Sequence, residues 1–379
     1  MRRSLLFFIG IALAAGCGGE DGAAGPVGPA GPAGSAGPQG DMGPAGSPGA
    51  AGQDGEDGSV RAYGDGSAGD LELNGTTLNF FIEEDRALLM PDNNSQYQNV
   101  TIGPDTELTV PSGFVFRCTG TFTNQGAIRV LASSNGGDSV DPEAPIAAEA
   151  DAGVAFSGGR AGEVVPGTVG DARSRAGGIG LSSSALLLLQ PTRLGGAGGG
   201  GRLFSGGQQG GGSLWIFAAG AVRNEGFIIA DSGTGFGAQT GGGGGGGVVL
   251  IASQTSVTNA PGAEILARGG DGEDGFDRPP GLNPGHSVAP SGGGGGGIVH
   301  FLAPTLSNLG RIAVDGGAAG ALGTVGSNLQ PLRQGGSSGG ACAGNGGRGG
   351  TFLNTTPGAA EPGVEGRFIA SQFDPTSLL

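Results

Sequence analysis

Few side chains in this sequence have types and spacing suited to chemistry. The clearest constellation is Gly269-Gly270-Asp271-Gly272-Glu273-Asp274-Gly275-Phe276, which matches the G-G-x-G-x-D-x-U calcium nonapeptide. Calcium takes about six to eight oxygen ligands, and a single copy supplies too few. Asp271 and Asp274 are therefore expected to hold calcium only with outside help, or else to be solvated loop acids; Asp138/Asp141 and Asp65/Asp70 are further acidic pairs of the same kind. His286 and His300 have no cysteine or second histidine at metal-ligand spacing, so zinc is not expected. All 18 basic residues are arginine, which leaves no Schiff-base lysine and no phosphate-binding P-loop lysine. Matches to G-x-G-x-x-G arise from glycine runs without a βαβ context. No G-x-S-x-G elbow lies between a strand and a helix.

The segments that would position these groups begin with Met1-Arg2-Arg3 and the apolar stretch Leu5 to Ala15, an export-signal pattern. That stretch is short of the roughly 20 apolar residues a spanning helix needs. Its end, Leu13-Ala14-Ala15-Gly16-Cys17, resembles a bacterial lipobox, apart from Ala14 where that family prefers a larger residue. The resemblance implies cleavage before Cys17 and a lipid anchor on it, and Gly18 resembles the sorting pattern of outer-membrane lipoproteins. An ordinary secretory signal is the alternative. Loss of residues 1–16 leaves 33 acidic against 16 basic residues, which argues against nucleic-acid partners. Export also permits a disulfide between Cys118 and Cys342; alternatively Cys118 is a small buried hydrophobe in an apolar strand.

From Gly19 to Gly58 glycine recurs at every third position, fourteen times, and the period stops at Arg61. Three polyproline-II-like chains wind together only where the axial residue lacks a Cβ, so this is the collagen period. Fully ordered, the segment would make a stalk on the order of 120 Å long. Asp54, Glu56 and Asp57 have no basic partner in the last triplets and would repel one another in a trimer. The alternative is an unstructured Pro/Gly spacer.

The remainder repeats. Phe114 to Val130, Leu214 to Ala230, Val248 to Ala267 and Ile298 to Val314 align, with starts 34 to 100 residues apart. One column reads Asn124, Asn224, Asn259, Asn308 and another Ile128, Ile228, Ile265, Ile312; between them falls Gly126, Gly226, Gly262, Gly310. A degenerate fifth copy places Gly366, Phe368 and Ala370 with the isoleucine strand. Columns two residues apart indicate strands stacked face on face, with the asparagines in a ladder. His300 aligns with Phe116, Ile216 and Leu250. The first strand of each copy is apolar on both faces and needs cover on both, which the glycine runs could supply as extended strands.

The expected fold is all-β: a Gly-rich parallel β-solenoid head behind a collagen-like stalk, with essentially no helix after the signal peptide. Expected segments are 1–16 signal peptide, 17–60 anchor and stalk, 61–110 capping strands and 111–379 repeats, with a long loop insertion at about 135–212. Residues 19–58 resemble bacterial collagen-like surface proteins, and residues 110–371 resemble Gly-rich repeats of bacterial surface and secreted proteins. That resemblance implies export, display at the outer membrane or cell surface, and adhesion to surface polymers or other cells, without a shared enzymatic activity. Partners would be the membrane, through the lipid, and two further copies of the chain, through the stalk. The alternative is a calcium-stabilised carbohydrate-binding module. A polysaccharide-acting β-helix enzyme would need convergent charges on one face, whereas Arg129, Arg223 and Arg311 fall at different repeat positions.

Overall fold

The computed structural model describes residues 62–131, 159, 164–166, 171–174, 176–180, 207–233, 241–278, 286–323, 332–353 and 356–377. The signal stretch, Cys17, the Gly-X-Y run, Asp138, Asp141 and most of 135–212 lie outside these residues. The described chain is all-β, and its main body is three parallel sheets of six strands each. An asparagine sheet holds Leu71–Leu73, Val100–Ile102, Phe122–Asn124, Val222–Asn224, Ser256–Asn259 and Thr305–Asn308. An isoleucine sheet holds Thr77–Asn79, Glu107–Val110, Ala127–Val130, Phe227–Ile229, Glu264–Leu266 and Arg311–Ala313. A long-strand sheet holds Gln96–Tyr97, Phe114–Cys118, Ser213–Ala218, Val248–Ser253, Ile298–Leu302 and Arg367–Ser371. The chain visits them in that order each time, adding one strand to each sheet per pass.

Register follows the sequence columns. Ile128, Ile228, Ile265 and Ile312 are direct partners down one sheet, and Asn124, Asn224, Asn259 and Asn308 down another. Alternate residues of all three sheets turn inward and form one apolar cluster, from Leu71 to Val314. Within it Ile228 is 1% exposed and Ile265 fully buried, while Ile312 in the last row is only partly buried. Truncating Ile265 to Ala should therefore cost about 2–5 kcal/mol, and Ile312 to Ala clearly less. Chemical denaturation of both variants measures the difference.

Residues 71–110, read from sequence as capping strands that begin a larger β unit, supply most of the first two rows of the same sheets. Two details of the sequence reading change. Helix is nearly absent, but Glu83–Leu89 forms one seven-residue helix beyond the first row, anchored by buried Leu89. Too short to hold alone, it is tied to that row by Tyr97 Oη donating to Leu89 O and by the Asp85 carboxylate accepting from Asn79 N at 2.8 Å. Finally, Arg367–Ser371 stacks on the long-strand sheet, pairing Phe368 with Val299 and Ala370 with Phe301, rather than on the isoleucine sheet.

The glycine-rich inserts all leave the stack at one corner, between an isoleucine strand and the next long strand. There they pair with one another. Gly292 N and Gly295 N donate to Ser337 O and Gly340 O; Gly293 and Gly296 donate to Glu361 and Val364; Gly294 and Gly297 donate to Gly270 and Ala267. The carbonyls of this segment accept from Gly243 and Gly246, from Gly317, and from Gly344 and Gly347, and the pattern continues backward as Ser291 O accepts from Gly320 and Pro290 O from Gly350. Bonds repeating every third residue and pointing in three directions are those of a three-fold extended helix without internal hydrogen bonds. Gly292–Gly297 thus has six chain neighbours. A Cβ on Gly294 would overlap the carbonyl oxygen of Gly244, and one on Gly296 that of Val314, so close approach of backbones demands glycine here.

Candidate functional site

Outward-facing residues of the asparagine sheet are polar, and those of the isoleucine sheet mix polar residues with Phe227, Ile229 and Leu266; those of the long-strand sheet are mostly apolar. Trp215, Phe217, Leu250, Ala252 and Leu302 form a second apolar cluster on its outer face, with Tyr63 lying over it at 2% exposure. Trp215 and Phe217 meet edge to face, ring centroids 5.6 Å apart. Nearer the strand starts, Val248 and Ile298 pack against Cys342 and Ala343 of the glycine layer. The two-faced apolar strands are thus covered from both sides, as expected, but by two different covers. The glycine layer shields one end, and an N-terminal strap with the C-terminal segment shields the other.

His300 belongs to this outer face. Its register partners are Leu250 and Ile369, in the column of Val115 and Trp215, not that of Phe116 and Ile216 as the sequence alignment had it. A one-residue slip moves a side chain to the opposite face of a sheet. His300 is 1% exposed; its Nε2 and the Ser371 hydroxyl hydrogen-bond at 2.9 Å, and its Nδ1 is buried without a partner. Burial lowers its pKa from 6.5 to about 4. The folded state therefore binds fewer protons than the unfolded state between those values. The contribution of this group to stability is intact above pH 6.5 and is lost as pH falls toward 4, by at most about 1.4 kcal/mol per pH unit. Denaturation midpoints from pH 7 to 4 should show that slope, and it should flatten in His300→Gln.

Of the two readings of the cysteines, the bridge is not formed: both thiols are free and buried, Cys118 as a small residue of the apolar core. Cys118 ends an inward-facing strand in the main core, whereas Cys342 lies on the outer side of the long-strand sheet, its Sγ 3.8 Å from Gly247 O. The sheet itself separates them. Burial pushes the Cys118 thiol up to about 12 and raises that of Cys342 as well. Both should resist thiol reagents until the protein unfolds, and the melting temperature should not respond to reductant.

Asp271 and Asp274 lie three residues apart on one glycine-layer segment and face the same neighbour. Asp271 Oδ1 accepts from Ala318 N and Asp274 Oδ1 from Ala321 N, each at 2.7 Å. The two carboxylates therefore extend the period-three pairing by side chain. Among the described residues no three His, Cys, Asp or Glu side chains gather at metal-binding distance. Beside them, burial together with Asp274 and Asp271 raises the pKa of Glu273.

The asparagines do form a ladder. Asn124 Nδ2 donates to Asn224 Oδ1 at 2.8 Å, Asn224 to Asn259 at 2.8 Å and Asn259 to Asn308 at 2.9 Å. Gly126 and Gly226 lie just beyond it, but in the next row Ala263 takes that place, pairing opposite Gly226, and Gly262 is an added residue at φ +83°. Two ion pairs link rows: Arg268 grips Asp231 with Nε at 3.1 Å and Nη2 at 2.6 Å, and Arg311 meets Glu264 at 3.3 Å. Arg223 pairs with Glu225 within its own row. Arg129 and Arg311 sit in different columns of the isoleucine sheet and Arg223 on the asparagine sheet, so they do not converge.

These features define an all-β protein of parallel sheets with a polyglycine layer on one corner. No protein-family model, curated protein or solved structure matches the chain. No helix among the described residues is long and apolar enough to cross a membrane.

Proposed function

We propose that this chain is a lipid-anchored surface protein whose work is structural or adhesive, displaying a parallel β-solenoid on a collagen-like stalk. Cys17 would carry the lipid, residues 19–58 would hold the head off the membrane, and the stacked rows would form the head. The observation that carries the reading is the fixed order of the three sheets. Successive rows bury their apolar face only against each other, as coils of a solenoid do. The buried asparagines are engaged in the ladder, and Arg129, Arg223 and Arg311 sit at separate places instead of converging. Binding would then come from shape and repetition, and trimerisation through the stalk would raise avidity without new contacts. The carbohydrate-binding alternative would place calcium at Asp271 and Asp274, around which no third His, Cys, Asp or Glu ligand gathers among the described residues.

Metabolic labelling with a fatty-acid analogue should mark the wild-type chain and not Cys17→Ala, which should leave the membrane fraction. Sedimentation of the mature chain with and without residues 19–58 should give a trimer and a monomer. An unlabelled wild type removes the anchor, and a monomer in both removes the stalk trimer.

A further inference from the structure

The apolar outer face of the long-strand sheet has a cover that is not part of any sheet. Ala62 and Tyr63, soon after the Gly-X-Y segment, lie over it, and residues 64–69 continue beside Gln96 and Gln98, where Ala68 packs against the inner cluster. Beyond Tyr63 the strap is fastened by few bonds. Ala68 N donates to Gln96 O at 2.8 Å, Gln98 N to Gly69 O at 2.7 Å, and Asn94 Nδ2 to Ser67 Oγ at 2.7 Å. Gly64, Gly66 and Gly69 all stand at positive φ, so its path is set by residues that turn readily. The Tyr63 hydroxyl lies beside Thr376 and Asp374, and the indole N–H of Trp215 is buried without a partner. On the other side, the C-terminal segment is tied down separately, by Gln254 Nε2 to Thr376 Oγ1 and Gln372 Nε2 to Pro304 O, each at 3.1 Å.

We propose that residues 62–69 are a latch, which tension along the preceding Gly-X-Y segment peels from the head to uncover an apolar shelf of Trp215, Phe217, Leu250 and Leu302. The strap is the first described stretch through which a pull from the N-terminal side enters the head. Peeling it breaks no bond of the three six-stranded sheets above the first row, whereas any deeper step must break ladder bonds. Its release adds contiguous aromatic and aliphatic surface to a head whose other outward apolar residues, such as Phe227, are interspersed with charged ones such as Glu264, which makes the surface stickier under load. The inference rests on residues 19–58 acting as a load-bearing stalk.

Trp215 is the single tryptophan of the chain and reports the latch directly. In full-length Tyr63→Ala its emission should shift to the red and its quenching by acrylamide should rise several-fold, with the β-sheet circular dichroism unchanged. Tyr63→Phe, which keeps the ring, should behave as wild type and guards against simple misfolding. Pulling the wild-type chain between handles at residue 20 and at exposed Leu353 should give an early step of about 25 Å, the length of eight released residues. That step should be missing in Tyr63→Ala. A Trp215 equally protected in Tyr63→Ala and wild type would overturn the latch. So would a wild-type trace whose first step is loss of the whole head. Neither result bears on Cys17 labelling, so failure of the latch and failure of the anchor are told apart.

Discussion

Gly294→Val should be among the most damaging single substitutions in this protein, costing at least about 3 kcal/mol. The added side chain would overlap the backbone of the Gly244 segment, and backbone atoms on both sides leave nothing that can rotate away. Overpacking an ordinary core costs about 1–3 kcal/mol because side chains yield. Here relief requires separating two segments, with loss of bonds such as Gly294 N to Gly270 O and Gly317 N to Gly294 O, each 2.8 Å. Gly262→Ala is the control. Nothing lies within 4 Å of a Cβ there, and only its φ of +83° opposes the change, so about 1 kcal/mol is expected. Guanidinium denaturation of both variants measures the contrast; equal effects would mean the glycine layer does not bear on stability.

Asn224→Leu should cost about 3 kcal/mol or more, although it makes the core more apolar. Asn224 accepts from Asn124 and donates to Asn259, with both neighbours buried. Removing it strands one amide donor above and one amide acceptor below, and each unsatisfied buried group costs about 1–3 kcal/mol. The ladder already leaves Asn124 Oδ1 without a donor at its first rung, so it has no spare capacity to absorb the loss. At the other end Asn308 is exposed and receives only one rung, and Asn308→Ala should cost under about 1 kcal/mol. Thermal melts of the two variants separate the rungs. A small Asn224 effect would mean water replaces the ladder.

What the sequence made legible was whatever repeats through side chains. The asparagine and isoleucine columns could be aligned because Phe114–Val130 and Leu214–Ala230 match without a gap. Where an insertion breaks the spacing, legibility failed by one residue. Gly262 was aligned in the place that Ala263 occupies, and His300 was aligned with the inward column instead of the outward one. The last strand, Arg367–Ser371, was matched to the isoleucine sheet by its alternating pattern, which cannot say which of three sheets a lone strand joins. The disulfide that export would permit is ruled out for a different reason: a sheet lies between the two thiols. The six-fold surround of Gly292–Gly297 left the weakest trace. Its bonds are all backbone to backbone, and a glycine run carries no side-chain pattern from which the partners can be read.

The collagen-like run and the glycine layer use the same residue for related reasons. In the first, the period of three would bring three chains to a common axis; in the second, extended segments bring backbones into contact on every side. Both patterns call for a residue without a Cβ, and a collagen-like run, like the glycine layer, would form its bonds between segments and not within them. The difference is that the second does so inside a single chain, beside sheets that fix where each segment starts and ends.

Amide hydrogen exchange resolved at Gly292–Gly297 is the most direct check that these glycines are structure and not linker. Each of their N–H groups is bonded to a neighbouring segment, so their protection should match that of Val249 and Phe301 in the adjoining long strands. Exchange at the rate of a free peptide in that segment, with Val249 and Phe301 still protected, would contradict it.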